Sequence, residues 1–147
     1  MAEINGCNIP EDLYYDGEHN VWVRFEDDTF VVGMTDIGQS LAGRFLYAHI
    51  KGVGKHIEAG KSIATVESSK WVGPVRTPIA GEIIAVNEKV EDDPSLINKS
   101  PYNDGWIVGL KGKDIAETKS RLITGKAAVE VYRKKIEKEN IECRKTK

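Results

Sequence analysis

Ser62-Ile63-Ala64-Thr65-Val66-Glu67-Ser68-Ser69-Lys70-Trp71-Val72-Gly73-Pro74-Val75-Arg76-Thr77-Pro78 is the stretch on which the reading of this chain turns. Ser62 to Val66 is a run of small and β-branched residues and reads as a short strand. Gly81-Glu82-Ile83-Ile84-Ala85-Val86-Asn87 reads as the next one. Between them lies one lysine, followed by Gly73, Pro74 and Pro78. Those breakers exclude a continuous helix and predict an ordered, exposed turn or ribbon. A lysine held there projects its amine into water, where an enzyme can reach and modify it. For an arbitrary lysine a solvated charge is the whole account. The rest of the chain has to supply the reason for more.

Outward from that stretch the chain alternates short strands with turns. Val21-Trp22-Val23-Arg24-Phe25 and Thr29-Phe30-Val31-Val32-Gly33, joined by Glu26-Asp27-Asp28, read as a hairpin. Thr35 is placed to cap a short helix whose inner face carries Ile37 and Leu41. Phe45 to Ile50 reads as a strand, Leu96-Ile97 as a helical turn, and Trp106 to Leu110 as a closing strand. Ile9 to Tyr15 is expected to lie against the body, anchored by Leu13 and the tyrosines. From Lys113 the period changes. Ile115, Lys119 and Leu122 suit one short helix; Ala127, Ala128, Val131, Tyr132 and Ile136 form an apolar stripe on another, which Glu130 and Lys134 support as an i,i+4 pair. The basic excess from Arg133 to Lys147 reads as a solvated helix face and a frayed tail. The fold expected is mainly β, a sandwich or flattened barrel with C-terminal α-helices, in a single domain over 1–147. Its core spans about 20–111 and its helices about 113–140.

Composition narrows the function. The chain has 147 residues, 40% hydrophobic and 30% charged, with a net charge of −2, so it is a globular protein without the basic surface that nucleic acid requires. No apolar run approaches a membrane span, and the N-terminus has no secretory pattern, which makes the cytoplasm the default location. The two cysteines, Cys7 and Cys143, sit at opposite ends. Free thiols are expected in a reducing compartment, with a disulfide joining the termini as the alternative. His19, His49 and His56 form no metal-type spacing. There is no nucleophile elbow and no phosphate loop, and the acidic pairs Asp27-Asp28 and Asp92-Asp93 read as solvated turns. Self-contained catalysis is therefore disfavoured. The alternative is that the chain carries chemistry: a lysine amide to a dithiolane-bearing acyl group gives an arm of about 14 Å.

Glu67-Ser68-Ser69-Lys70 resembles the lipoyl-lysine motif, Glu-Ser-x-Lys, of the glycine cleavage system H protein family. The resemblance continues in register through Gly81-Glu82, Val86-Asn87, Asp92-Asp93-Pro94-Ser95-Leu96-Ile97-Asn98, Ser100-Pro101-Tyr102 and Gly105-Trp106-Ile107, with Val32-Gly33-Met34-Thr35 and Gln39 upstream. It implies a lipoyl-domain-like β-sandwich (a barrel-sandwich hybrid) with lipoic acid attached covalently to Lys70 at a hairpin tip. Glu67, Ser68, Gly81 and Asn87 support the motif. A non-catalytic carrier of that family would shuttle an aminomethyl group among glycine decarboxylase, aminomethyltransferase and dihydrolipoyl dehydrogenase, after modification by a lipoate ligase or lipoyl transferase.

The chain also departs from that pattern. Trp71-Val72-Gly73-Pro74 stands where the family has Ala-Ala-Ser-Asp, and Ala42-Gly43-Arg44 where it has Leu-Gly-Asp. The segment Glu18-His19-Asn20-Val21-Trp22 is one residue longer than the family's Glu-His-x-Trp. A loaded aminomethyl group is cationic, so losing acids and gaining Arg44 counts against it as cargo. Lys70 to Pro74 and Asn5-Gly6-Cys7 are similar to lipoate-binding carriers of sulfur oxidation, which serve a heterodisulfide-reductase-like complex. Trp71, Glu18, His19 and Arg44 are the expected arm or partner contacts. Two other readings stand beside the carrier. One is an unmodified interaction module docking through the C-terminal stripe. The other is a biotinyl domain, ranked low because Met-Lys-Met is absent around Lys70.

Overall fold

A computed structural model describes residues 2–113 and 115–143. Asn5-Gly6, both with positive φ, turn β1 (Ala2–Ile4) into β2 (Cys7–Ile9) as a two-residue hairpin. Next come β3 (Tyr14–Asp16), β4 (Val21–Glu26) and β5 (Thr29–Met34), an antiparallel meander with Asp27-Asp28 as its tight turn. α1 (Asp36–Ala42) starts at Thr35, whose hydroxyl accepts the Gly38 amide as expected. β6 (Phe45–Ile50), β7 (His56–Ile57), β8 (Ser62–Ser68), β9 (Val72–Arg76) and β10 (Gly81–Val86) follow. Two short helices, α2 (Glu88–Asp92) and α3 (Leu96–Lys99), lead to β11 (Val108–Lys111). The chain closes with α4 (Ile115–Lys119), β12 (Ile123–Thr124) and α5 (Gly125–Glu139).

Seven strands form one sheet in the order β12-β3-β4-β5-β11-β10-β7, and β6-β8-β9 form a second. The strand sequence Val21-Trp22-Val23 explains the layering. All three residues are buried, because the large sheet is covered on both faces. Val21 and Val23 point with Phe30, Val32 and Leu110 towards the small sheet. Trp22 points the other way, under the N-terminal hairpin and α5. The sheet reaches beyond the expected core of 20–111, since β3 and β12 extend its edge.

Several expectations change here. β8 runs on to Ser68, and the return strand after the lysine is β9, not Gly81 to Asn87, which forms β10 in the other sheet. Gly73 and Pro74 therefore lie inside a strand. They are tolerated because β9 is an edge, where proline costs no ladder bond and discourages pairing with another chain. Leu41 is exposed rather than inward. Ile37 is buried by the core, but one turn further the same helix face has passed the edge of the core. On α5 the buried stripe is Ala128, Val129, Tyr132 and Ile136, while Ala127 and Val131 face outward and Glu130 pairs with Arg133 at 3.3 Å. That stripe packs on the molecule's own core, so it is not a free docking face. The tail expected to fray, residues 144–147, lies outside the described residues.

Cys7 and Cys143 form a disulfide, which corrects the expectation of free thiols. Asn140 ends α5 in the left-handed conformation, and residues after it turn back onto the N-terminal hairpin. There the Cys143 amide donates to Asn5 O at 3.0 Å. Gly6 makes the approach possible: a Cβ there would stand 2.4 Å from Cys143 O. No helix among the described residues is long and apolar enough to cross a membrane.

Candidate functional site: the lysine hairpin and its groove

Only Ser69 and Lys70 separate the hydrogen-bonded pair Ser68 and Trp71, and neither has positive φ. Such a loop matches the twist of the flanking strands poorly, and the Trp71 amide does not bond to the Ser68 carbonyl. The Ser68 hydroxyl does the work instead, accepting from Trp71 N at 3.1 Å and Lys70 N at 3.3 Å. Its own hydrogen goes to Ala42 O at 2.6 Å, one of the carbonyls left open at the end of α1. Ser68 therefore rivets the lysine turn to α1. Ser68→Ala leaves that carbonyl and the Trp71 amide without their partner, and is expected to cost about 1–3 kcal/mol. Chemical denaturation reads this directly, and a loss below about 0.5 kcal/mol would contradict the account.

Gly43 follows Ala42 at φ +90°, and a Cβ there would lie 2.9 Å from Lys70 Cε. The lysine stem thus crosses the bare backbone at the end of α1. Asn98, buried on α3, fixes that backbone. Its amide nitrogen donates to Gly43 O at 2.8 Å and to Gln39 Oε1 at 2.9 Å, and its oxygen accepts from Phe45 N. Gln39 in turn donates to Asp36, and the Tyr102 hydroxyl, whose ionisation burial pushes well up, accepts from Asp36 N at 3.0 Å. The seat of the lysine is rigid from both ends of α1.

Beside this seat lies an open groove of about 270 Å³. Leu41 and Ala42 of α1, Met34 of β5, and Trp71 and Pro74 of the lysine hairpin give it apolar walls. His19 and Asn20 form a polar end, next to Gly38. Trp71 lies flat over Gly73, where a Cβ would meet its ring at 2.4 Å, and its edge approaches Phe45 at 6.4 Å between centroids. This explains why a glycine follows two residues after the tryptophan. At the polar end, Asp16 accepts from Glu18 N at 3.0 Å and binds His19 Nδ1 at 2.8 Å. Lys135 of α5 donates to Asn20 Oδ1 at 3.1 Å.

The structure places Trp71 and His19 on the groove, with Ser68 and Lys70 beside it at the end of α1, and leaves other expected residues outside. Glu18 is exposed on the same turn, with a carboxylate oxygen within 4.8 Å of the donor atoms of Asp16 and His19, but does not line the groove. Arg44 is exposed and outside it. Arg44 contributes, after the Ser95 hydrogen bond and Lys99, to holding the Asp93 carboxyl below its usual range, which puts it towards α2 and α3. Glu67 stands on the outer face of the small sheet, paired in register with Tyr47 and Val72. Gly81 and Asn87 are structural. A Cβ at Gly81 would press Lys111 O at 2.9 Å, and buried Asn87 donates to Asp104 O and Trp106 O. Gly43, Asn20 and Met34 enter the sequence reading only inside segments compared with the family, with no role given them, and Asp16 and Lys135 are not singled out there. Gly43 also carries a local signal, as the glycine just after a capped helix.

A two-sheet β-sandwich presenting one exposed lysine at a hairpin tip is the architecture of a lipoyl-type carrier. The model of the family "Glycine cleavage H-protein" matches residues 13–135. The chain is 46% identical over 144 residues to glycine cleavage system H protein 2 of Aquifex aeolicus, covering 97% of this chain and 89% of that one. It is 44% identical to the probable glycine cleavage system H protein 2 of Sulfurisphaera tokodaii, covering 99% of each. The crystal structure of a glycine cleavage system H protein from Mycobacterium marinum superposes with a TM-score of 0.74 at 28% identity, covering 90% of this chain and all of that one. The chain belongs to the glycine cleavage H-protein family, a family of lipoyl carriers.

Proposed function

We propose that Lys70 is the lysine that carries the lipoyl group, and that residues 1–147 act as one non-catalytic carrier unit. The observation that carries this reading is the Lys70 stem crossing Gly43 between the groove-lining residues Ala42 and Trp71. The groove fits an acyl arm. Its walls are apolar, and from Gly43 to Gly38 along α1 is about 7.5 Å at the helical rise per residue. An eight-carbon acyl chain spans about 8 Å from the lysine nitrogen to its sulfurs. Once attached, the group supplies a dithiol/disulfide couple that takes up two electrons or a thiol-linked passenger. The protein's part is mechanical. Ser68 and Asn98 hold the base of the arm, Trp71, Leu41 and Met34 keep water from its alkyl part, and His19 and Asn20 meet its far end.

Family membership favours the aminomethyl group of glycine as passenger, with glycine decarboxylase, aminomethyltransferase and dihydrolipoyl dehydrogenase as partners and a lipoate ligase or lipoyl transferase as the modifying enzyme. One observation favours a second reading: among the described residues no carboxylate lines the groove. A cationic passenger loses there the partner it needs. A sulfur intermediate destined for a heterodisulfide-reductase-like complex does not need one. Reconstitution decides between them. The fully lipoylated chain, mixed with the three glycine cleavage enzymes, is expected to support glycine-dependent turnover. No turnover from a chain shown by intact mass to be fully lipoylated would overturn the aminomethyl passenger in favour of the sulfur one.

A further inference from the structure

We propose that the Asp16–His19 pair is a proton acceptor for the thiol of the arm in its groove, so that His19 sets the reactivity of the resting dithiol. This rests on the lipoylation of Lys70 proposed above. Asp16 Oδ2 lies 2.8 Å from His19 Nδ1. A carboxylate only accepts, so Nδ1 carries the hydrogen of that bond and Nε2 of the neutral ring keeps its lone pair. Nε2 has no hydrogen-bond partner among the described residues, and His19 lines the groove end that an arm running from Gly43 along α1 would reach.

The turn is fixed well enough for the role. Asp16 also accepts the Glu18 amide, and Asn20, at φ +54°, accepts the Thr35 amide at 2.9 Å through its carbonyl and Lys135 Nζ through its side chain. The charged groups around the ring are Asp16 and Glu18 on its own turn and Lys135 of α5 behind Asn20. Met34, Leu41 and Trp71, from the other elements around the groove, are uncharged. The step is a single proton transfer: the S–H bond breaks, the N–H bond at Nε2 forms, and the proton returns or passes to water when the arm leaves. No electron moves. The imidazolium, oriented by Asp16, then faces a negative sulfur in a partly apolar groove, the pairing that lowers thiol pKa values beside histidine.

The test uses lipoylated protein whose arm is reduced with a phosphine, with iodoacetamide alkylation of the Lys70 peptide followed against pH by mass, so that any thiols released from the Cys7–Cys143 bridge are counted apart. His19→Asn is expected to slow alkylation at pH 7 by about fivefold or more and to move the profile to higher pH, with Asp16→Asn shifting it the same way. His56→Asn, a histidine on β7, is the control and leaves the profile in place. The His19 ring resonances at a fixed pH are expected to differ between the wild type with its arm reduced and Lys70→Arg, a comparison that needs no change at the turn. Identical profiles for wild type and His19→Asn, or ring resonances indifferent to the arm, overturn the proposal while leaving the carrier intact. Absence of any lipoyl adduct overturns the carrier reading itself.

Discussion

Lys70→Arg, produced beside an active lipoylation system, is expected to carry no lipoyl group, whereas the parent chain carries one. The guanidinium keeps the charge but offers no amine that can close a stable amide, so the modification is lost outright rather than slowed. The fold has no reason to change. Lys70 is exposed, forms no ion pair among the described residues, and its stem needs only the space over Gly43 that an arginine stem also fits. Stability should stay within about 0.5 kcal/mol of the parent. Intact mass and a peptide map read the result. An adduct that persists in Lys70→Arg, or that maps to another lysine, would remove the basis for assigning the arm to this hairpin.

Breaking the Cys7–Cys143 disulfide is expected to have the largest effect on stability. The two residues are 136 positions apart, so the bridge closes nearly the whole chain into a loop. The chain-entropy relation gives about 5 kcal/mol for a loop of that length, against a typical range of about 2–4 kcal/mol for disulfides in general. The bridge also lies in the cluster that joins the N-terminal hairpin, Trp22 and α5, so a loosened end exposes apolar surface as well. Cys143→Ser, or reduction of the parent chain, should lower the denaturation free energy by about 3–5 kcal/mol. A loss below about 1 kcal/mol on full reduction would mean that the hairpin and α5 hold each other without the bridge. Two thiols open to alkylation in the unreduced, unfolded chain would contradict the bridge itself.

Much of the lysine hairpin and the elements around it was legible because their signals are local. Thr35 caps α1, Asp27-Asp28 closes a hairpin, and Ser68 and Lys70 lie within one turn, all settled by neighbours in sequence. The groove was not legible. Its lining comes from the turn after β3, from β5, α1 and the lysine hairpin, and no spacing in the chain brings Met34 or Asn20 to Trp71. The same limit explains the errors. Leu41 follows the helical period of Ile37, but period says which residues share a face and not how far the core extends beneath it. The expected stripe includes Val131 and Ala127, whereas Val129 joins Ala128, Tyr132 and Ile136 on the buried one, since the helix is rotated by what it packs on.

The chain's own residues fixed the β-rich class, the position of the lysine in a glycine- and proline-rich hairpin, and the kinship carried by Glu67 to Lys70 and the segments after it. Such features depend on backbone preference and short-range pattern. The tertiary structure alone decided that the termini are joined, that the α5 stripe is core, and that His19 lines the groove while Arg44 does not. Each of these is a meeting of segments far apart in sequence, set by the packing of two sheets and one helix, and packing has no signature in any single stretch of the chain.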